Sequence, residues 1–332
     1  MKKTLLSLLL VLSTASAFAW GEWGHQHINR SAIFALPPEM RIFFYDHADY
    51  LTLESIAPDL RKYTIRNEEE FARHYIDLEA YNYTTTSALP QSLTQARSIY
   101  SDSFLRRNGI LPWHLQIMME KLTQAFKDSR ESDILFLAGD MGHYIADACM
   151  PLHTTLNHDG QLTGQQGIHS FWESQVPEMF GAGYDLYTGD AHYIKNTNKE
   201  IWKIIAHSFS LANSVLLADK LLRRQFPADS IFLKDAGGKI VRNRFNAPVH
   251  TRRYARAYNR MLNGMVEHQL RLAIAETANF WYTAWVNAGK PDLSFLDSEI
   301  VRKRNARYLR NDYKNWEKGN VKDLQPFREF DQ

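Results

Sequence analysis

Apolar residues recur along this chain at three- and four-residue intervals, the period of a helix buried on one face. His25, Ile28, Ala32 and Ile33 follow that spacing until Pro37-Pro38 interrupts it. "PPEMRIFFYDHADYL" restarts a helix with proline in its first turn, where a missing N–H costs no hydrogen bond. "WHLQIMMEKLTQAFKDS", "ESDILFLAGDMGHYIADACM" and "NKEIWKIIAHSFSLANSVLLADKLLRR" carry further amphipathic patterns. Residues 251–288 read as one long helix or two abutting ones. Strand-type alternation is scarce, and there is no internal repeat or low-complexity linker. The pattern predicts an all-α fold, a single multi-helix domain.

The two ends read differently. Lys2 and Lys3, a short apolar run, and Ala17-Phe18-Ala19 form a secretory signal over residues 1–19. Cleavage there makes Trp20 the first residue of an exported protein, secreted or periplasmic. No other apolar run approaches the ~20 residues of a membrane span. The domain is expected over 20–292, followed by a charged tail over 293–332, surface-draped or partly disordered.

Composition narrows the picture. The single cysteine, Cys149, excludes an intrachain disulfide framework. Standing two residues after Asp147, it points off that residue's face and reads as a small buried side chain. The chain has 39 basic and 37 acidic residues, and loss of Lys2 and Lys3 leaves 37 of each. A net charge of zero argues against a bulk electrostatic grip on a polyanion.

Candidate chemistry concentrates in "GHYIADACMPLHTTLNHDGQLTGQQGIHSFWE". His143 and Asp147 stand one helical turn apart and share a face. Pro151 ends that helix, and His153 follows at its exit. His169 and Glu173 form a second pair with the same offset. Upstream, "ESIAPDLRKY" offers Asp59 and "FARHYIDLE" offers His74. Imidazole and carboxylate are the ligand types of a catalytic zinc. His27, His47, His114, His158, His192, His207, His250 and His268 read as structural.

The segments "WGEWGH", "PD" before "LRK", "HYID", "HYIADACMPLH" and "GIHSFWE" resemble the superfamily of zinc-dependent phospholipases C and single-strand nucleases of the S-one/P-one type. The resemblance runs from about Trp20 to Gly289 and implies an all-α domain with a cleft for three zinc ions. It implies that Trp20 chelates one zinc through its free amine and carbonyl, together with His25. Asp59, His74, His143 and Asp147 would serve a second ion, and His153, His169 and Glu173 the remaining one. Asp147 would bridge two metals, whose activated water attacks phosphorus in line. By the same resemblance Asp59 orients that water, and Lys62 or the adjacent Arg61 stabilises transition-state charge. Tyr75 and Asp77 fall where substrate contacts do.

The short Trp20-to-His25 spacing matches the nucleases, whereas Glu173 matches the phospholipases. The expected function is a zinc-dependent phosphodiesterase of phospholipase C type, with phospholipid as substrate. The alternatives are an endonuclease specific for single-stranded DNA or RNA and a zinc-binding protein without catalysis. A monomer with no stable protein partner is expected.

Overall fold

Helix boundaries fall where the local chemistry puts them. The computed structural model describes residues 21–64, 68–83, 85–243, 246–296 and 299–319. The proposed signal segment, Trp20 and the last residues of the tail lie outside these. The first helices are α1 (Gly21–Ala35), α2 (Pro38–Asp46), α3 (Ala48–Glu54), α4 (Ala57–Tyr63) and α5 (Glu68–Phe71). Then follow α6 (Leu93–Ile99), α7 (Asp102–Asn108), α8 (Leu111–Lys127), α9 (Glu131–Cys149) and α10 (Ile168–Ser170). The remainder are α11 (Val176–Phe180), α12 (Thr197–Arg223), α13 (Arg252–Met261), α14 (Met265–Asn287) and α15 (Glu299–Glu317). Among the described residues there is no strand, only three isolated antiparallel bridges between 232 and 250.

α9 runs through the middle of the fold, against α1, α3, α8, α12 and α14. Glu131 and Asp133 in its first turn complement the helix dipole, and Pro151 ends it by holding Met150 extended (ψ 117°). Two glycines let neighbouring helices come close. A Cβ at Gly142 would stand 1.9 Å from Asn29 Oδ1, and one at Gly139 would stand 2.6 Å from Glu54 Cβ. Asn29 uses that proximity: its Nδ2 donates to the carbonyls of Gly139 (3.0 Å) and Leu51 (3.2 Å). α1, α3 and α9 are thereby locked in register beside the candidate ligands.

The ambiguous segment at 251–288 resolves into two helices. Asn263 (φ +49°) and Gly264 (φ +80°) adopt left-handed backbone between α13 and α14, which ends the first helix. α12 is apolar enough over 18 residues to resemble a membrane span, contrary to the sequence expectation. Half of that window is buried, and Ile201, Trp202, Ile205, Val215 and Leu222 pack in the core.

The expected surface-draped tail is also corrected in part. Residues 299–317 form α15, which docks on α2. Trp316 is buried against Phe34, Tyr45 donates to Asp312 Oδ2 at 2.5 Å, and Arg41 lies 4.0 Å over the Tyr313 ring. A few aromatic anchors hold an otherwise charged helix, so its hydrophobic period is weak in sequence.

Candidate metal centre

α1 brings His25 to the centre of the fold, where its ring stacks on His143 at 3.9 Å with planes 12° apart. α4 contributes Asp59 and Lys62, one turn apart, with Lys62 Nζ 2.9 Å from Asp59 Oδ1. His74 follows α5 in a turn. The extended chain after it pairs with the 3-10 turn Pro151–Thr154, Ile76 N donating to His153 O at 2.9 Å. That pairing carries His153 to the same place. α10 and the π-helical turn Phe171–Gln175 supply His169 and Glu173.

Asp147 sits between these groups, fully buried. Its Oδ2 lies 2.9 Å from His74 Nδ1 and 3.3 Å from His143 Nε2. Its Oδ1 lies 3.6 Å from both His25 Nε2 and His153 Nδ1, and accepts no hydrogen bond. Three ligand groups result: His25, His143 and Asp147; Asp59, His74 and His143; and His153, His169 and Glu173. Within each, donor atoms lie within 4.8 Å of one another. His143 stands in two of them.

Outer hydrogen bonds fix the imidazole tautomers. His143 Nδ1 donates to Ser55 O (2.7 Å), His153 Nδ1 to His74 O (2.6 Å) and His169 Nδ1 to His158 O (3.0 Å). A carbonyl only accepts, so each Nδ1 carries the hydrogen and each Nε2 faces inward. The inward nitrogens of His153 and His169 are 3.2 Å apart, and His143 Nε2 is 3.0 Å from His74 Nδ1. Converging nitrogen lone pairs with carboxylate oxygens between them are a donor set that fits a cation.

Electrostatics agree. Burial pushes Asp59 upward against the pull of Lys62, and lifts Asp147 to about 7. It lowers His143 to about 4 and holds His74 well below the ordinary imidazole value. These imidazoles are neutral near pH 7, the form that ligates metal. His169 and Glu173 behave as an ion pair in the protein alone. Burial opposes both charges, yet their attraction raises His169 to about 9 and lowers Glu173 to about 2.

Of these groups His74, His153, His169 and Glu173 line a cleft of about 670 Å³ with Lys62, Tyr75 and Asp77, whereas His25, Asp59, His143 and Asp147 are fully buried and lie outside its lining. Arg61 and Lys62, equivalent candidates in sequence, separate here. Lys62 faces the cleft, whereas Arg61 turns to Asp140 (2.6 Å), Glu54 (3.4 Å) and Glu70 (3.5 Å). Tyr75 donates its hydroxyl to Arg107 O at 2.7 Å, leaving its ring on the wall. Asp77 is lifted to about 7 by burial and by the charge of Glu79. Cys149 is fully buried beyond the ligands, as its offset predicts.

Sequence reasoning missed several contributors, Arg107 on the cleft wall among them. Glu70 is buried, takes the Tyr144 hydroxyl hydrogen, and sits 3.6 Å from His74 Nε2. His158 lines the cleft as well as holding His169 through its carbonyl. Asp159 Oδ1 accepts from Gly167 N and His169 N, fixing the turn that presents His169. Arg242 enters the wall from a ribbon distant in sequence. Only the adjacency of "NHDG" to His153 hinted at any of them.

Imidazole and carboxylate sets able to hold metal, some lining one cleft and the rest buried within the same all-helical domain, are the mark of a metal-dependent protein. The zinc dependent phospholipase C family model matches residues 24–217, and the chain belongs to that family. No curated protein matches it.

Proposed function

We propose that the protein is an exported, monomeric zinc-dependent hydrolase with phospholipase C activity, cleaving glycerophospholipids to release a phosphorylated head group. The observation that carries this reading is the position of Asp147 between the donor sets, in a chain of the zinc-dependent phospholipase C family. Asp59, His74, His143 and Asp147 would hold one ion, and His153, His169 and Glu173 another. His25 and Asp147 would hold a third, joined by Trp20 if the chain is cleaved before it. Bound zinc supplies Lewis acidity toward phosphate oxygens and makes water acidic enough to ionise near neutral pH.

The protein's own groups do the rest. Asp59, held by Lys62, orients the attacking water through its carboxylate. Lys62 presents its ammonium to the cleft and offsets charge that builds on phosphorus oxygens in the transition state. Ser55, His74 and His158 carbonyls keep three imidazoles in one tautomer, so the donor geometry is set before substrate arrives. Tyr75 and Asp77 bound the space where a head group sits.

The test is a parallel assay of zinc-loaded protein, beginning at Trp20, on phospholipid vesicles and on single-stranded DNA and RNA. Release of phosphorylated head group with little nucleic-acid cleavage is the expected result. Strong cleavage of DNA or RNA with no head-group release overturns the reading in favour of a nuclease.

A further inference from the structure

A ribbon over residues 231–251 lies beyond the part of the chain that matches the family model. Its bridges pair Phe232 with His250, Lys234 with Ile240 and Arg242 with Pro248. It is clamped to the segment carrying His169 and Glu173. Asn243 Nδ2 donates to Ser170 Oγ (2.9 Å), Gln175 Nε2 to Pro248 O (3.1 Å), and His250 stacks on Phe171 at 3.6 Å. Gly167 (φ +93°) allows the approach, since a Cβ there would stand 2.7 Å from Pro248 Cδ. The ribbon therefore has a fixed seat, and from it Arg242 reaches the cleft wall, with Nη1 donating to Asn246 O at 2.6 Å. Arg107, at the end of α7, reaches the same cleft beside Tyr75.

The charged groups of this cleft are not all paired with one another. Lys62 is paired with Asp59 and Glu173 with His169, and the Asp159 carboxylate is held, though not neutralised, by two backbone N–H groups in the turn that presents His169. Asp77 is buried, and burial with the charge of Glu79 raises it to about 7, so its negative charge is only partial at neutral pH. Arg107 and Arg242 pair with no carboxylate among the described residues, and both are exposed at the wall. Two guanidinium forks without an acid partner beside a site for one phosphodiester are suited to a second phosphate. They are unsuited to a quaternary ammonium head group, which two like charges repel.

Resting on the phospholipase reading, we infer that Arg107 and Arg242 select glycerophospholipids whose head group carries a second phosphate, over zwitterionic lipids such as phosphatidylcholine. The second phosphate is held by the guanidinium groups while the scissile diester lies over the donor sets.

The experiment compares kcat/KM for soluble short-chain phosphatidylinositol 4-phosphate and short-chain phosphatidylcholine, below their micelle concentrations, using the zinc-loaded protein. Monomeric substrates remove any effect of charge on attraction to a membrane surface. A preference of about tenfold for the doubly phosphorylated lipid is expected, the scale of one charge-assisted hydrogen-bonded contact. Arg107→Gln and Arg242→Gln should each lower that ratio several-fold, and the double variant should bring it near one. Arg242→Lys should restore part of it, because the charge returns without the fork. Equal rates on the two lipids, or a ratio unmoved by both substitutions, overturn the inference and leave the phospholipase reading standing. Absence of turnover on every phospholipid overturns that reading itself. A higher kcat/KM on oligonucleotides than on either lipid shows that the arginines serve a nucleic-acid backbone, and also overturns the inference.

Discussion

Asp147 Oδ2 lies 2.9 Å from His74 Nδ1, although the two residues are 73 positions apart. This contact joins the central helix α9 to the turn after α5, and the donor groups assemble around it. Asp147 faces His25 and His153 with its other oxygen, so a single side chain touches every part of the centre.

Replacing it should therefore do more than remove one ligand. Asp147→Asn retains the size but offers one poor acceptor and one N–H donor. Zinc content by elemental analysis should fall by at least one ion per chain, and activity by about 100-fold or more. Full zinc content with a modest loss of rate would separate Asp147 from the metal centre.

Arg61 and Lys62 should fail in different ways. Lys62→Ala should lower kcat by about tenfold to 100-fold with zinc content nearly unchanged, and in the zinc-loaded protein, where metal would offset the charge of Asp59, the melting temperature should fall little. Arg61→Ala leaves Asp140, Glu54 and Glu70 without their shared cation. It should cost about 2–4 kcal/mol in denaturant unfolding, because buried carboxylates lose their partner. Interchange of the two phenotypes would reverse the assignment.

The His169–Glu173 pair gives the metal-free protein a distinctive pH dependence. Glu173 is lowered to about 2, so its contribution is present above its ordinary value near 4.3 and is lost as pH falls toward 2. His169 is raised to about 9, so its contribution is complete below about 6.5 and is lost as pH rises through 9. Thermal melts of chelated protein should show this alkaline loss, and His169→Gln should flatten it. Zinc replaces the proton on His169, so the gain in melting temperature on adding zinc should grow between pH 6.5 and 9. A gain independent of pH in that range would contradict the assignment of His169.

Trp20 lies outside the described residues, and its role is tested chemically. Protein that keeps Ala19 has a peptide nitrogen where a free amine is proposed. It should fold normally but bind one zinc fewer and lose most activity. Full zinc content and full rate would show that Trp20 is an ordinary residue.

α15 should act on stability alone. Trp316→Ala removes its most buried anchor and should cost about 3 kcal/mol, the usual scale for a buried tryptophan. Zinc content and substrate preference should stay as they are. An unchanged unfolding midpoint would mean that α15 is not docked in solution.

The helical period, the break at Pro37-Pro38 and the ligand types were legible in sequence because each depends on neighbours within a turn or two. His143 with Asp147 and His169 with Glu173 could be paired on paper, since an offset of four residues places both on one face. The contact between His74 and Asp147 could not, because it depends on how α9 meets the turn after α5. The choice between Arg61 and Lys62 also depended on tertiary structure. A rotation of about 100° per helical residue points one toward Asp140 and the other into the cleft, and local sequence does not say which side is which. Arg107, Arg242 and Glu70 left no local signal, because each sits in a short charged run that reads as ordinary solvated surface. α15 escaped because three or four aromatic contacts suffice to dock a charged helix whose own pattern is mostly polar. The sequence by itself determined which residues have the chemistry and which of them share a helix face. Only the folded chain decided which of them meet, since contacts between distant segments depend on the close approach that Gly139, Gly142 and Gly167 permit.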